Sequence, residues 1–337
     1  MIEEATAILS SGGDLAPAQM SAAMEEVMAG QAATSQIISF LSSLSQKGET
    51  VDELTAAVKI MRLHAAKIHA AQGNLLDTCG TGGDAKGTFN ISTAVAFVAA
   101  GCGIAVAKHG NRSVSSCCGS ADILEFLGIN INLTPPQLEA CLEKAGIVFL
   151  FAQNMHPAMK YAMEARRHIG KRTMFNILGP LTNPAGATHQ LVGVYDLAWV
   201  ERLGRVLQNL GAKHALVVYG NDGLDEITTT DATFITEVRP DKIRSYQVKP
   251  EDFGIARAEP GNLRGGKAAD NAKILLDILS GKKGPQRDIV AFNAAAAIYA
   301  ADKAGSIQEG LGLAREAIDS GRALQKFELL KTFSSKK

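Results

Sequence analysis

Apolar residues recur at helical spacing through the first 70 residues of the chain. One predicted helix covers residues 34–44, and its apolar face at positions i, i+3, i+4 and i+7 consists of Ile37, Phe40, Leu41 and Leu44. A similar stripe predicts a helix over residues 14–30. Thr50 and Glu53 have the spacing of a capping box, which predicts the start of a further helix. We interpret this opening segment as a small helical domain, with an apolar face left for the rest of the chain or for a second subunit.

The pattern changes at residue 74, where short, continuously apolar runs begin to alternate with segments of helical spacing. The apolar runs cover residues 104–107, 147–151, 190–194 and 215–219. Runs of this kind are typical of strands that are buried on both faces. The predicted helices between them cover residues 121–127, 134–145 and 197–210. Alternation of strands and helices predicts an α/β domain with a mainly parallel sheet.

Near its end the α/β pattern includes one departure from parallel strands. Residues 234–238 and 243–248 flank the segment Arg239-Pro-Asp-Lys, which predicts a hairpin and so one antiparallel strand. The chain is helical again from residue 270. The predicted fold class is therefore α/β, with a small all-helical domain over residues 1–72 and a larger α/β domain with a mainly parallel sheet over residues 73–337.

Composition narrows the class of protein. The 337 residues are 46% hydrophobic and 20% charged, as expected for a soluble globular protein. The 34 Lys and Arg balance the 34 Asp and Glu, which argues against a general nucleic-acid-binding surface but leaves a local polyanion site open. No apolar run is long enough to span a membrane. The five cysteines form no Cys-x-x-Cys pair and no secretory leader is apparent, so a reducing cytoplasm is the expected location.

The richest candidate chemistry lies in a glycine-rich segment, Asp77-Thr-Cys-Gly-Thr-Gly-Gly-Asp84. An apolar run precedes this segment, and an Ala/Val-rich run at residues 94–100 follows it. This order predicts a strand, then a loop, then a helix. Such a loop presents backbone N–H groups and a helix N-terminus to a phosphate. Nearby hydroxyls add donors, namely Thr88, Ser92 and Thr93. The P-loop and dinucleotide glycine patterns are both missing, and a simple tight turn is the alternative for this loop taken alone.

A second polar segment follows the predicted strand at residues 104–107. It reads Lys108-His-Gly-Asn-Arg-Ser-Val-Ser-Ser116, followed by Gly119-Ser-Ala-Asp122. Two cations, an amide and several hydroxyls at a strand end are suited to bind a polyanion. The alternative is a solvated polar loop.

A third segment, Gly220-Asn-Asp-Gly-Leu-Asp-Glu226, follows the predicted strand at residues 215–219. Its three carboxylates are hard oxygen donors of the kind that Mg²⁺ prefers, completed by phosphate oxygens and water. An ordinary acidic turn is the alternative. In open α/β sheets ligands bind beyond the carboxyl ends of the strands, where all of these segments are predicted to lie.

A fourth segment runs from His156 to Gly186 and contains Arg166 and the rigid sequence Gly179-Pro-Leu-Thr-Asn-Pro-Ala-Gly186. Arg166 is a candidate partner for a substrate carboxylate, because a guanidinium can bind both carboxylate oxygens. A surface or structural ion pair is the alternative. The sequence shows no Gly-x-Ser-x-Gly pattern, so covalent serine catalysis of that kind has no support.

In order and spacing, these four segments resemble the anthranilate phosphoribosyltransferase family of tryptophan biosynthesis. The similarity extends to the helical opening and so covers nearly the whole chain. It implies a small helical domain joined to a larger α/β domain with the site between them, and a homodimer formed through the helical domain. A segment at about 165–188 is expected to pack on the helical domain.

The resemblance also implies a reaction and its site. The phosphoribosyl group of phosphoribosyl pyrophosphate (PRPP) would pass to the amine of anthranilate, with one or two Mg²⁺ ions per subunit. The residues implied to bind PRPP are Gly80, Gly83, Asp84, Thr88, Asn90, Ile91, Ser92, Thr93, Lys108, His109, Gly110, Asn111, Arg112, Ser113, Val114, Ser115, Ser116 and Ser120. Those implied to contact anthranilate are Gly80, Asn111, His156, Arg166 and Gly179. The implied metal ligands are Ser92, Asp225 and Glu226, and the implied catalytic residues are Lys108, Asp84 and Arg166.

The chain departs from the family pattern at three places. Ala85 stands where the family often has glycine, Cys117-Cys118 fills two variable positions, and Glu164-Ala165 replaces a common Pro-Val before Arg166. Two other functions remain as alternatives. A pyrimidine nucleoside phosphorylase of the same fold would carry Ser-Thr-Gly-Gly-Val-Gly-Asp after Lys-His, whereas this chain has Gly-Asn-Arg-Ser-Val. A non-catalytic paralogue that binds nucleic acid would show a basic surface and a lost glycine loop.

Overall fold

Four helices open the chain in the computed structural model, which describes residues 1–69, 73–112 and 118–335. They are α1 (Ile2–Ser10), α2 (Pro17–Met28), α3 (Thr34–Lys47) and α4 (Val51–Leu63). The predicted capping box is formed at α4, where the Glu53 N–H donates to Thr50 Oγ1 at 3.2 Å and the Thr50 N–H donates to Glu53 Oε2 at 2.8 Å. Helix α2 is shorter than the predicted 14–30, because Pro17 occupies its first turn. Helix α1 was not predicted.

The rest of the described chain is an α/β domain. Its strands are β1 (Leu75–Gly80), β2 (Ala105–Gly110), β3 (Ile147–Phe151), β4 (His189–Gly193), β5 (His214–Gly220), β6 (Thr233–Arg239) and β7 (Lys242–Val248). Its helices are α5 (Ile91–Gly101), α6 (Ser120–Phe126), α7 (Pro135–Ala145), α8 (Ala152–Met155), α9 (Lys160–Ile169), α10 (Phe175–Leu178), α11 (Ala198–Asn209), α12 (Ala268–Leu279), α13 (Pro285–Ala300), α14 (Ile307–Asp319) and α15 (Arg322–Ser334).

The seven strands form one sheet in the order β3-β2-β1-β4-β5-β6-β7. Strands β1 to β5 are parallel, while β6 is antiparallel to both β5 and β7. The predicted hairpin and the single antiparallel strand are therefore confirmed. The chain adds β2 and β3 on one side of β1, then β4 and β5 on the other. This reversal opens a crevice at the carboxyl ends of the central strands, where open α/β sheets bind their ligands.

The two faces of the sheet are covered by different apolar clusters. Along β5, Leu216 and Val218 pack in one cluster with the helices α5 and α12 to α15, while Ala215 and Val217 pack in the other. The alternation follows from the two-residue period of a strand. The second cluster also contains the core of the four opening helices, so one face of the sheet and the helical domain share a continuous apolar interior.

The segment around α9 and α10 lies against the opening helices. Ala165 and Leu178 belong to the cluster shared with them, and Arg62 Nε donates to the Leu181 carbonyl at 2.8 Å. Thr34 Oγ1 donates to Glu164 at 3.0 Å, so one of the residues that departs from the family pattern joins α3 to α9. These contacts support packing of residues 165–188 on the helical domain, while the boundary at residues 72 and 73 stays a prediction.

Candidate active site

The glycine-rich segment leaves the sheet at its central strand. Strand β1 continues to Gly80, so the first four residues of the predicted loop are strand and the loop proper is residues 81–90. Helix α5 then begins at Ile91, with Asn90 as its N-cap: Asn90 Oδ1 accepts from the Thr93 N–H at 3.2 Å. The predicted order of strand, loop and helix is confirmed.

Four residues of this loop have a left-handed backbone, namely Gly82, Gly83, Ala85 and Gly87. Gly83 has φ +81°, and its carbonyl accepts a hydrogen bond from the Arg172 guanidinium, which stacks on Tyr195 at 3.8 Å. Ala85 also has a left-handed backbone, with φ +57°. Glycine adopts this conformation without steric cost, so the alanine departs from the family pattern at a position that suits glycine.

The acidic loop after β5 meets the glycine loop. The Gly82 N–H donates to Asp225 Oδ2 at 3.0 Å, and the backbone of Ser92 lies close enough to the Glu226 carboxylate to oppose the rise of its pKa. The structure therefore brings Ser92, Asp225 and Glu226 together, as expected from strands that end at one edge. Asp222 has a different role, because it accepts from Thr228 Oγ1 at 2.7 Å and braces the loop internally.

Gly193, at the end of β4, is what allows this close approach, and the sequence analysis missed it. A Cβ atom at Gly193 would lie 1.6 Å from the carbonyl oxygen of Asp225, so no other residue fits without moving the acidic loop. The Thr81 N–H donates to the Gly193 carbonyl at 2.9 Å, which joins the glycine loop to the same strand end. The available signal was a glycine inside an apolar strand pattern, which often marks close approach of another backbone.

Burial and mutual repulsion raise the pKa values of Asp225 and Glu226. For Asp225, burial is the main cause and the negative charge of Asp84 the second, and together they raise its pKa to about 7. Burial and Asp225 raise the pKa of Glu226 well above its ordinary value. Asp84 Oδ2 is buried and has no hydrogen-bond partner among the described residues. A cluster of this kind is an energetically favourable place for a cation.

Lys108 lies on the β2 side of the same cluster. Its Nζ donates to Ser92 Oγ at 3.0 Å and to the Thr78 carbonyl. Burial lowers its pKa, and the nearby charge of Asp77 opposes that shift more than any other group does. The residue is 4% exposed, so its charge acts on the site with little screening by water.

The carboxylate cluster fits a magnesium ion that is completed by substrate. Within residues 1–69, 73–112 and 118–335, no three His, Cys, Asp or Glu side chains already converge as a metal site. Mg²⁺ usually takes only one or two carboxylates and fills its shell with phosphate oxygens and water. Such a cation would give the unpartnered Asp84 Oδ2 a ligand and would stabilise the ionised form of Asp225, whose pKa is raised in its absence.

Two histidines form an apolar corner of the site. The rings of His109 and His156 have centroids 5.0 Å apart, and His109 Nδ1 lies 3.2 Å from the Gly179 carbonyl. Burial, followed by the charge of His156, lowers the pKa of His109 to about 3, and burial lowers that of His156 to about 4. Both rings are therefore neutral at physiological pH. Their Nε2 atoms are buried without a partner in the described part of the chain.

A buried carboxylate, Asp77, orders this corner and was not predicted as a functional residue. Its two oxygens accept from the His109 N–H at 3.0 Å and from Asn183 Nδ2 at 2.8 Å, and Asn183 Nδ2 also donates to the Ala107 carbonyl. Asp77 is fully buried, and burial raises its pKa to about 6. It therefore ties the loop around Gly179 to β1 and β2.

Arg166 lies on α9, half-buried, with its guanidinium 5.6 Å from the ring centroid of Phe175. Burial lowers its pKa. Arg112 has acidic partners instead, with Nη1 at 2.9 Å from Asp122 and 2.8 Å from Glu125. The structure thus leaves Arg166 without an ion-pair partner among the described residues, whereas Arg112 already has two.

The remaining predicted residues lie around these groups. Ser120 Oγ donates to the Asn111 carbonyl at 3.3 Å, and a Cβ at Gly110 would overlap Ser120 Oγ, so the two ends of the second segment meet. Ser113, Val114, Ser115 and Ser116, together with Cys117, lie outside the described residues.

Thr88 and Asn90 of the glycine loop are supported from the C-terminal part of the chain. Thr88 forms an antiparallel bridge with Arg264, and the Asn90 N–H donates to buried Asn271 Oδ1 at 3.0 Å. No sequence pattern indicated this support from α12.

Comparison with known proteins places this geometry in a family. Residues 72–324 match the sequence model of the glycosyl transferase family a/b domain, and residues 3–65 match that of the glycosyl transferase family helical bundle domain. Anthranilate phosphoribosyltransferase of Acetivibrio thermocellus is 50% identical over 335 residues, covering 99% of this chain and 97% of its own.

Solved structures agree. Anthranilate phosphoribosyltransferase of Thermus thermophilus has a TM-score of 0.94 at 40% identity and covers 98% of this chain and 99% of its own. The Saccharomyces cerevisiae enzyme has been solved with PRPP and Mg, and with 4-fluoroanthranilate, at TM-scores of 0.91 and 0.89. Each is 25% identical and covers 99% of this chain and 98% of its own. On its sequence and its fold, the chain belongs to the anthranilate phosphoribosyltransferase family.

Proposed function

We propose that this chain transfers the phosphoribosyl group of PRPP to the amine of anthranilate, as a step of tryptophan biosynthesis. The C1–O bond to pyrophosphate breaks, a C1–N bond forms, and the amine loses a proton. The observation that carries the proposal is the meeting of the glycine loop and the acidic loop, where the Gly82 N–H donates to Asp225 Oδ2 at 3.0 Å and the Ser92 backbone adjoins the Glu226 carboxylate. Family membership supports the same reaction.

PRPP is proposed to bind along the loop at residues 80–93 and the segment after β2. Backbone N–H groups at the start of α5 and the hydroxyls of Ser92 and Thr93 supply donors for phosphate oxygens. Lys108 supplies a buried positive charge beside them, where negative charge develops on the departing pyrophosphate. In the Saccharomyces cerevisiae relative, the same fold was solved with PRPP and Mg.

Mg²⁺ is proposed to be held by Asp225 and Glu226, with Ser92 and Asp84 beside them. When bound, the ion would neutralise charge on the pyrophosphate leaving group. The chain's own contribution is to hold Asp225 and Glu226 in a buried cluster of negative charges that a cation would stabilise. Ser92 Oγ already accepts a hydrogen bond from Lys108 Nζ. As a metal ligand it would use its remaining lone pair for Mg²⁺.

Anthranilate is proposed to lie near the histidine corner, with its carboxylate on Arg166. Arg166 suits this role because it is half-buried and the described residues give it no acidic partner. Neutral His109 and His156 offer flat, uncharged surfaces for the aromatic ring. Gly80, Asn111 and Gly179 are proposed to line the same space.

Positioning, rather than proton transfer, is proposed to supply most of the rate. The aromatic amine is a weak nucleophile, and well-oriented reactants can gain roughly 7–11 kcal/mol relative to free ones. His109 is a poor general base, because its pKa of about 3 leaves it little affinity for a proton. The amine proton is therefore proposed to leave through the substrate's own carboxylate or through water.

We also propose that the chain forms a homodimer through its helical domain and works in the cytoplasm. The family resemblance supports the dimer. Size-exclusion chromatography with light scattering should give a mass about twice the 35.5 kDa of one chain. A mass of a single chain at micromolar concentration would contradict the dimer.

The assay that tests the proposed function is the loss of anthranilate fluorescence on adding PRPP and Mg²⁺. Fluorescence should fall only when protein, PRPP and Mg²⁺ are all present. The same preparation should be incubated with uridine and phosphate, which a pyrimidine nucleoside phosphorylase would convert to uracil and ribose 1-phosphate. Uracil formation without loss of anthranilate would favour that alternative.

A further inference from the structure

Asn293 is a fully buried asparagine in the middle of α13, outside every segment to which the sequence pointed. It is 0% exposed. Every other residue from Ala291 to Ala297 in the helix is apolar. An unpaired amide in such a place is costly to bury. The partners of its hydrogen bonds therefore indicate its structural role.

Those hydrogen bonds converge on one residue of the acidic loop. Asn293 Oδ1 accepts from the Ile227 N–H at 2.8 Å, and Asn293 Nδ2 donates to the Ile227 carbonyl at 2.8 Å. The second proton of Nδ2 goes to the Ile289 carbonyl at 2.9 Å, within α13. A partner that binds both the N–H and the C=O of one residue fixes its orientation, as a neighbouring strand does.

Ile227 directly follows Glu226, so this contact is one peptide from the carboxylate pair. At the other residue of the pair, the backbone of Asp225 rests on Gly193, where a Cβ would be 1.6 Å from the Asp225 carbonyl oxygen. The backbone that carries Asp225 and Glu226 is thus held between the end of β4 and the middle of α13. Neither contact uses the carboxylates themselves, which leaves them available to a ligand.

We propose that Asn293 is a positioning residue that holds Asp225 and Glu226 in the orientation that receives Mg²⁺ together with PRPP. The role rests on the proposed function for its ligands. Asn293 touches neither ligand and acts through the Ile227 backbone. Its loss would leave the carboxylates present but less well oriented, so the protein would need more Mg²⁺ to bind PRPP. Changes to residues that orient metal ligands typically cost about 10- to 100-fold in metal affinity.

The test is PRPP binding by isothermal titration calorimetry at a series of Mg²⁺ concentrations, without anthranilate, so that no turnover occurs. Asn293→Ala should need about tenfold or more Mg²⁺ for half-maximal PRPP binding. Asn293→Ser keeps one hydroxyl as a hydrogen-bonding group, so its Mg²⁺ requirement should lie between those of Asn293→Ala and wild type. This variant replaces Asn293→Ala in the test if the alanine variant folds poorly. Hydrogen exchange of the peptide around Ile227, measured without ligand, should be faster in both variants.

Ile298→Ala is the matched control, because Ile298 is equally buried on α13 but makes no hydrogen bond to the acidic loop within the described part of the chain. It should lower the melting temperature at least as much as Asn293→Ala and leave the Mg²⁺ requirement unchanged. An Asn293→Ala protein with the Mg²⁺ requirement of this control contradicts the positioning role alone. Wild-type protein that binds no PRPP at any Mg²⁺ concentration contradicts the proposed function and this role with it.

Discussion

At the scale of single residues, the site is defined by the carboxylates of Asp84, Asp225 and Glu226, whose negative charges act on one another, and by the buried ammonium of Lys108. Burial and mutual repulsion raise the pKa values of Asp225 and Glu226, and Lys108 offsets only part of that. The free protein therefore stores an unfavourable arrangement of charge that a divalent cation removes. This is the physical reason why a small set of residues can make binding of PRPP depend on Mg²⁺.

The pKa of Asp225, about 7, predicts a pH dependence with a definite sign. Protons compete with the cation below pH 7, so the Mg²⁺ required for PRPP binding should rise by up to about tenfold for each unit that the pH falls. Above pH 7 the contribution of Asp225 to this requirement should level off, because its carboxyl is then mostly ionised. Calorimetric titration between pH 5.5 and 8.5 measures it, with Asp225→Asn as the control for titration of PRPP itself. A requirement that changes equally in both proteins would show that Asp225 does not titrate in this range.

Arg166 permits a second prediction at this scale. Arg166→Ala should raise the apparent KM for anthranilate more than that for PRPP, by about 10- to 100-fold, because a charge-assisted hydrogen bond is lost. Initial rates with each substrate varied in turn measure the two constants. Arg167→Ala, the exposed neighbour on α9, should change neither. A larger effect on PRPP than on anthranilate would refute the carboxylate role of Arg166.

Several residues of the proposed site could be predicted from the sequence, and others could not, for a physical reason. Gly80, Asp84, Ser92, Lys108, Asp225 and Glu226 stand in short segments whose composition signals ligand binding. Asp77 gains its role from Asn183, 106 residues away, and Asn293 gains its role from Ile227, 66 residues away. Buried polar pairs of this kind have no local pattern, because only the folded chain brings their partners together.

At the scale of secondary-structure elements, the site depends on how closely the acidic loop packs on the end of β4. The short strands, the helices between them and the hairpin of β6 and β7 followed from hydrophobic spacing and turn residues. The support of the glycine loop by α12 and by the segment before that helix did not. It rests on Asn271 of α12 bonding to Asn90 and on Arg264, ahead of α12, pairing with Thr88. Spacing predicts elements, whereas their contacts depend on the whole fold.

Gly193→Ala tests this packing. Any Cβ at residue 193 would lie 1.6 Å from the Asp225 carbonyl oxygen, so the acidic loop must move away from the glycine loop. We expect loss of most Mg²⁺-dependent turnover and a destabilisation of about 1–3 kcal/mol from overpacking. Thermal unfolding and initial rates measure the two effects. Gly261→Ala is the control, because a Cβ there meets nothing within 4 Å, and it should retain both stability and turnover. Near-normal turnover of Gly193→Ala would contradict the dependence of the site on this close packing.

At the scale of the whole molecule, the helical domain and the sheet share one apolar interior, and α9 and α10 lie against the opening helices. In this arrangement Arg166 lies beside Phe175, and the Gly179 carbonyl lies 3.2 Å from His109 Nδ1. The two-part fold was expected from the change of hydrophobic pattern at residue 74. No helix within the described residues is long and apolar enough to cross a membrane.

One PRPP and Mg²⁺ site, formed by the glycine loop and the acidic loop, is proposed to serve transfer to anthranilate. Its most direct test follows anthranilate fluorescence and pyrophosphate release together in wild type and in Asp225→Ala/Glu226→Ala, with Asp231→Ala as the control from the next turn. Wild type and the control should consume anthranilate and release pyrophosphate one for one. The double variant should lose at least about a hundredfold in rate at ordinary Mg²⁺. Near-normal turnover by the double variant would contradict the account.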